Sequence, residues 1–199
     1  METLKSLLEE LDATLRQYNM AAYENLLPPF RDIIINKEME EIGIDDENVR
    51  ALFRWKGGMQ HENGPLIMNH GSLITFESIK VLIDVNEYYD PLLIPLISDN
   101  GEQILLFNTK AGKHYGKIYL FSNSSLLIEH PASYYDSLSA MIKTTIEAYK
   151  QWAYQYDEDD SGCLNINFDK FFSIARKNNP NSVYWTDKVN EKWTEWYEI

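Results

Sequence analysis

The sequence predicts an α+β fold, a mixed, largely antiparallel sheet wrapped by helices. Three observations lead there. Apolar runs at 91–97 and 103–107 flank Ser98-Asp99-Asn100-Gly101, and Asn-Gly between apolar runs is a strong hairpin signal. Leu4, Leu7, Leu8, Leu11, Leu15 and Tyr18 recur at helical spacing. Asp45-Asp46-Glu47 precedes Leu52, Phe53 and Trp55, an acidic start before an apolar face.

Residues 1–18 therefore read as a helix. Leu27-Pro28-Pro29-Phe30 interrupts the pattern, and Ile33-Ile34-Ile35 suits a strand or a helical turn equally. The helix opened by Asp45 and Asp46 is expected to stop at Gly57-Gly58, with glycine in the left-handed position that caps helix carbonyls. Residues 59–71 read as loop or edge strand. Residues 75–89 read as a helix with Phe76, Ile79, Leu82, Ile83 and Tyr89 on one side. Strands are expected at about 92–97, 103–108 and 117–121, and a fourth at 126–129. Ile104-Leu105-Leu106-Phe107 does not alternate, which predicts a central strand buried on both faces.

Asn100-Gly101 fits a type I′ turn, in which both central residues need φ > 0. Ser133-Tyr-Tyr-Asp136 fits a capping box, predicting a helix from there to about Tyr156 that stops at Asp157-Glu158-Asp159-Asp160-Ser161-Gly162. The tail holds Phe168, Phe171, Phe172, Trp185, Trp193, Trp196 and Tyr197, too aromatic for a disordered segment. One or two docked helices are expected there, with the tryptophans as core anchors or, if exposed, as partner contacts. A single domain spanning 1–199 is expected, because no linker or repeat divides the chain.

The chain has 18 basic and 31 acidic residues, a net charge of −13. That balance argues against nucleic acid and anionic membrane as partners and favours a basic protein. One cysteine, Cys163, permits no internal disulfide. Met1-Glu2-Thr3-Leu4-Lys5 lacks the basic and apolar regions of a signal peptide, so a cytoplasmic protein is expected.

No motif points to chemistry. Gly57-Gly58 lacks the longer glycine pattern of a phosphate loop. Asp157 to Leu164 matches the first half of a calcium loop, but its twelfth position is Phe168 instead of a bidentate Glu. His61 and His70 share a loop without metal-ligand spacing, and His114 and His130 stand apart, so surface or hydrogen-bonded histidines are expected. There is no Gly-x-Ser-x-Gly elbow, and the acidic run before Cys163 suppresses its thiolate. No cofactor, metal or catalytic residue is expected. A carboxylate-pair hydrolase is the least favoured reading.

Across residues 40–150 the order of these pieces resembles the SUKH superfamily. The matching features are Leu52 to Gly58, the helix after Thr75, Ile94-Pro95-Leu96-Ile97, Ser98 to Gly101, Ile104 to Phe107, Gly116-Lys117-Ile118 and Ser133-Tyr134. The chain departs from the family pattern at Lys56, where Asn is usual, and at Ile44-Asp45, where Leu-Pro is usual. The resemblance implies a non-enzymatic immunity protein that sequesters a cognate polymorphic toxin, for which a basic nuclease domain suits the charge. The alternative is a regulatory scaffold similar to the cell-wall assembly regulators. The expected contact residues are acidic and lie in turns: Asp99 and Glu102, then Asp157, Glu158, Asp159 and Asp160. Gly57, Gly58, Asn100 and Gly101 are expected as structural turns.

Overall fold

The computed structural model describes residues 3–61, 65–85, 92–99, 103–122, 132–156 and 164–185. Helix α1 (Leu4–Tyr18) starts at Thr3, whose hydroxyl accepts from Ser6 N–H at 3.2 Å while Ser6 Oγ accepts from Thr3 N–H at 3.1 Å. Its stripe Leu7, Leu8, Leu11 and Leu15 is buried, packing α1 against α4 and α6. Asn19 caps the short helix α2 (Met20–Glu24). The Ile33–Ile35 segment lies in a helix, α3 (Asp32–Glu41), with Ile35 and Met39 inward and Ile33 in solvent. Helix α4 (Glu47–Trp55) is capped by Asp46, whose Oδ1 accepts from Asn48 and Val49 N–H at 2.8 and 3.1 Å.

Gly57 and Gly58 do not cap α4. Lys56 already leaves the helix in extended conformation, and the chain then pairs with Leu27: Leu27 N–H donates to Gly58 C=O at 2.8 Å and Gly57 N–H to Leu27 C=O at 3.2 Å. The glycines answer to proximity. A Cβ on Gly57 would sit 2.8 Å from Pro28 O, and one on Gly58 2.8 Å from Thr75 N. Lys56 fastens the amino-terminal helices here. Its ammonium lies 3.4 Å from Asp12 of α1 and 4.2 Å from the centroid of the Tyr23 ring in α2.

The main sheet has five strands in the order β1 (Ser72–Leu73), β2 (Leu93–Ser98), β3 (Gln103–Asn108), β4 (Ile118–Ser122) and β5 (Ala132–Tyr135). Every described neighbour pair is antiparallel, so the α+β expectation holds and the sheet is a meander. Strand β3 is central, as its unbroken apolar run predicts. One face, with Ile94, Leu96, Leu105, Phe107, Ile118 and Leu120, joins the core under the helices. The other gathers Leu93, Ile104, Leu106, Tyr119 and Phe121, with Leu82 of α5 (Phe76–Val85) against them. An extra residue at Leu96 bulges β2, so its register closes on Ser98↔Ile104 and Asp99 N–H donates to Gln103 C=O at 3.3 Å. Asn100, Gly101 and Glu102, where the type I′ turn is expected, lie outside the described residues, as does the expected strand at 126–129.

The helix expected from Ser133 begins later. Ser133, Tyr134 and Tyr135 belong to β5, the edge strand on β4, and Ser137 caps α6 (Leu138–Lys150) by accepting from Ala140 N–H at 3.0 Å. Bulky aromatic side chains suit a buried strand, and strand pairing overrides the local capping pattern. Helix α6 also stops before Tyr156. The chain turns back as β6 (Tyr154–Tyr156), which pairs with β7 (Leu164–Ile166). The tail then docks, as expected, through α7 (Phe168–Asn178) and a 3₁₀ turn at Val183–Trp185, with Phe171 and Trp185 buried. Trp193, Trp196 and Tyr197 lie outside the described residues. Among the described residues no helix is long and apolar enough to cross a membrane.

The tightest approach is at Gly71, where φ is +118° and a Cβ would fall 1.8 Å from Ser98 O. Gly43 also has positive φ, +72°, but open space around it. Replacing Gly43 with Ala should lower unfolding free energy by about 1 kcal/mol. Gly71→Ala should cost at least about 3 kcal/mol, because backbone must move as well as strain. Urea unfolding of both variants checks this; equal losses would show that the loop yields at Gly71.

Candidate functional site

Gly71 closes a tight turn that presents Asn69 and His70. Gly71 N–H donates to Met68 C=O at 3.0 Å, and Met68 N–H returns a bond to Gly71 C=O at 3.1 Å. The absent side chain lets this turn lie against the end of β2, so His70 reaches across the sheet.

His70 is the hub of a buried polar network. Its Nδ1–H donates to Oε1 of Gln103 in β3, and its Nε2 accepts from the Tyr134 hydroxyl of β5 at 2.7 Å. Gln103 Oε1 can only accept, which fixes the neutral imidazole with its proton on Nδ1. Asn69 Nδ2 lies 2.9 Å from His70 Nε2 and 3.1 Å from the Tyr134 oxygen. Asn69 Oδ1 accepts from the Tyr154 hydroxyl of β6 at 2.9 Å. Gln103 N–H donates to Asp99 Oδ1 at 2.7 Å, and Trp185 Nε1–H donates to Tyr134 C=O at 2.5 Å. A neighbouring branch joins Tyr149, which donates to Ile67 C=O at 2.8 Å and accepts from Asn19 Nδ2 at 2.9 Å.

Burial sets the protonation states. It pushes His70 down to about 4 against the opposing effect of the Gln103 hydrogen bond. The same burial raises Tyr134 and Tyr154 far above the ordinary phenol value. The network is therefore neutral at pH 7. Tyr134 is enclosed by rings, with Trp185 at 4.5 Å, Tyr184 at 4.6 Å, Tyr135 at 4.7 Å and His70 at 4.8 Å between centroids. These groups hold elements together: they tie the 65–71 turn, β3, β5, β6 and the 3₁₀ turn at one end of the sheet.

Of the six acidic residues expected to contact a partner, Asp99 alone is among the described residues. Asp99 is half-buried and spends one carboxylate oxygen on the Gln103 amide. Glu102, Asp157, Glu158, Asp159 and Asp160 lie outside the described residues. Gln103, next to Glu102, and Tyr154 of β6 are connected through His70, Tyr134 and Asn69. Sequence reasoning placed His70 among the hydrogen-bonded or surface histidines and missed its partners, which are 33 and 64 residues away. No tyrosine lies between Tyr23 and Tyr88, so no local pattern around His70 points to these partners.

His61 is exposed, His114 is half-buried, and His130 and Cys163 lie outside the described residues. Among the described residues no three His, Cys, Asp or Glu side chains converge as metal ligands. The charge is unevenly distributed. Residues 157–160 are four consecutive carboxylates, and 186–199 hold four carboxylates against two lysines. Among the described residues ion pairs join Arg54 to Asp32 and Glu47, and Lys80 to Glu38 and Glu41. No family model and no curated protein matches the chain.

The lowered His70 value predicts a pH effect with a definite sign. Unfolding raises the imidazole to its ordinary value near 6.5, so the unfolded chain binds more protons between 4 and 6.5. The stabilisation is complete above pH 6.5 and is lost as pH falls toward 4, by about 3 kcal/mol. Comparing unfolding free energies of wild type and His70→Gln from pH 7.5 to 4 isolates this residue. The difference between them should shrink by that amount on acidification; a constant difference would mean His70 titrates normally in the fold.

Proposed function

We propose that this chain is a non-enzymatic binding protein of SUKH type, an immunity protein that neutralises a cognate toxin by occupying it. The observation that carries this reading is the location of the charge. Ten of the 31 carboxylates and only two of the 18 cations fall in 100–102, 123–131, 157–163 and 186–199, which contain Glu102, Glu129, Asp157 to Asp160, and Asp187 to Glu198. The described residues flanking these segments are Asp99 and Gln103, Ser122 and Ala132, Tyr156 and Leu164, and Trp185. Gln103 pairs with Ser122, and Gln103, Tyr134, Tyr154 and Trp185 all take part in the network.

Negative charge concentrated in a few segments of the sequence suits capture of a basic protein. Long-range attraction raises the encounter rate, and carboxylates then pair with Arg and Lys at the contact. The described elements run α4, Gly57-Gly58, α5, β2, β3, β4, β5 and α6; they depart from the pattern of the resemblance in that Gly57-Gly58 do not cap α4 and Ser133-Tyr134 lie in β5, with the helix starting after Ser137. The partner in this reading is a protein toxin with a basic surface, a nuclease domain being the chemistry that fits best, and inhibition is steric and electrostatic.

The test is association kinetics with the protein encoded beside this one. Reversing Asp157, Glu158, Asp159 and Asp160 to Lys should slow association about tenfold or more at low salt, with the gap closing as salt is raised. An unchanged on-rate at low salt would remove this segment from the interface.

A further inference from the structure

Helix α6 ends in a Schellman motif. Ala153 N–H donates to Ala148 C=O at 2.8 Å and Trp152 N–H to Tyr149 C=O at 3.0 Å. The residue between the helix and Ala153 must be left-handed, which glycine does without steric cost. Here it is Trp152, with φ at 58°, and among the described residues no other non-glycine has positive φ. A side chain in that conformation is disfavoured. Packing compensates little, since the indole is 56% exposed and meets Tyr18 edge-on at 5.9 Å.

Four lysines stand around it against two carboxylates, Glu147 and Glu10, which pair with Lys177 and Lys150. Lys143, Glu147 and Lys150 follow one another at i, i+4 and i+7 along the outward stripe of α6. Helix α7 brings Lys170 and Lys177 to that stripe: Lys170 Nζ donates to Gln151 C=O at 3.4 Å, and Lys177 pairs with Glu147 at 3.0 Å. Lys150 reaches Glu10 of α1. A chain of net charge −13 thus presents a lysine-lined face ending in an exposed, strained tryptophan.

We propose that the Trp152 end of the α6–α7 face is a docking surface for an acidic polypeptide segment bearing an apolar side chain. The indole supplies a rigid anchor of large area, and the lysines around it match the carboxylates of the segment. Extended polyanions are disfavoured, because nucleic acid or an anionic membrane would feel the repulsion of the whole chain. This surface is separate from the His70 network, and it stands whether or not the immunity reading does.

The full chain is titrated, at low salt, with a fluorescein-labelled peptide of alternating Glu and Leu, and anisotropy is followed. Saturable binding tighter than about 1 mM is expected. Trp152→Gly keeps the left-handed conformation, so its urea midpoint should equal or exceed that of wild type while peptide affinity falls about tenfold. The Lys150→Glu, Lys170→Glu pair should weaken binding comparably. The proposal is overturned by absent saturation, by affinity indifferent to these variants, or by a Lys-Leu peptide binding as well. A Trp152→Gly chain less stable than wild type would make the indole a structural anchor and overturn it too, as would tighter binding of single-stranded RNA or phosphatidylserine vesicles.

Discussion

The structure depends on one close approach, the backbone of Gly71 against the carbonyl of Ser98. It puts the 65–71 turn onto the end of β2, and from there Asn69 and His70 extend into the space between sheet and helices. Each polar atom buried there needs a partner, because an unmatched one costs about 1–3 kcal/mol. The partners come from β3, β5 and β6, which are distant in sequence. The network therefore specifies how those elements sit together, where apolar packing would tolerate several arrangements.

Among the described residues ion pairs lie on the surface, outside this network, as between α3 and α4, where Arg54 meets Asp32. Such exposed pairs contribute little to stability but leave little net field. A neutral imidazole suits the centre of the network. A buried cation would be costly without a carboxylate beside it, and none of the groups bonded to the ring is one.

Local patterns were legible wherever local physics decides. The leucine stripe of α1, the Asp46 cap of α4 and the apolar run of β3 all appear as read from sequence. Ser133 was misread because Ser-x-x-Asp can cap a helix or simply occur in a strand, and pairing with β4 decides between them. Gly57 and Gly58 were misread because glycine serves a helix end and a backbone contact equally well, and the contact is with Leu27, thirty residues earlier. The β6–β7 hairpin and the His70 network went unseen because their partners are set by tertiary contact. Of the expected contact residues, Asp99 alone is described, and its role as a cap on Gln103 is added to any role at a surface.

The most direct measurement is a ¹⁵N NMR titration of the His70 ring in the full chain. The account predicts a neutral imidazole protonated on Nδ1, with no change from pH 8 down to about 5. A midpoint near the ordinary histidine value, or a proton on Nε2, would contradict it, because the link from Gln103 through His70 to Tyr134 could not then be the one that holds this end of the sheet.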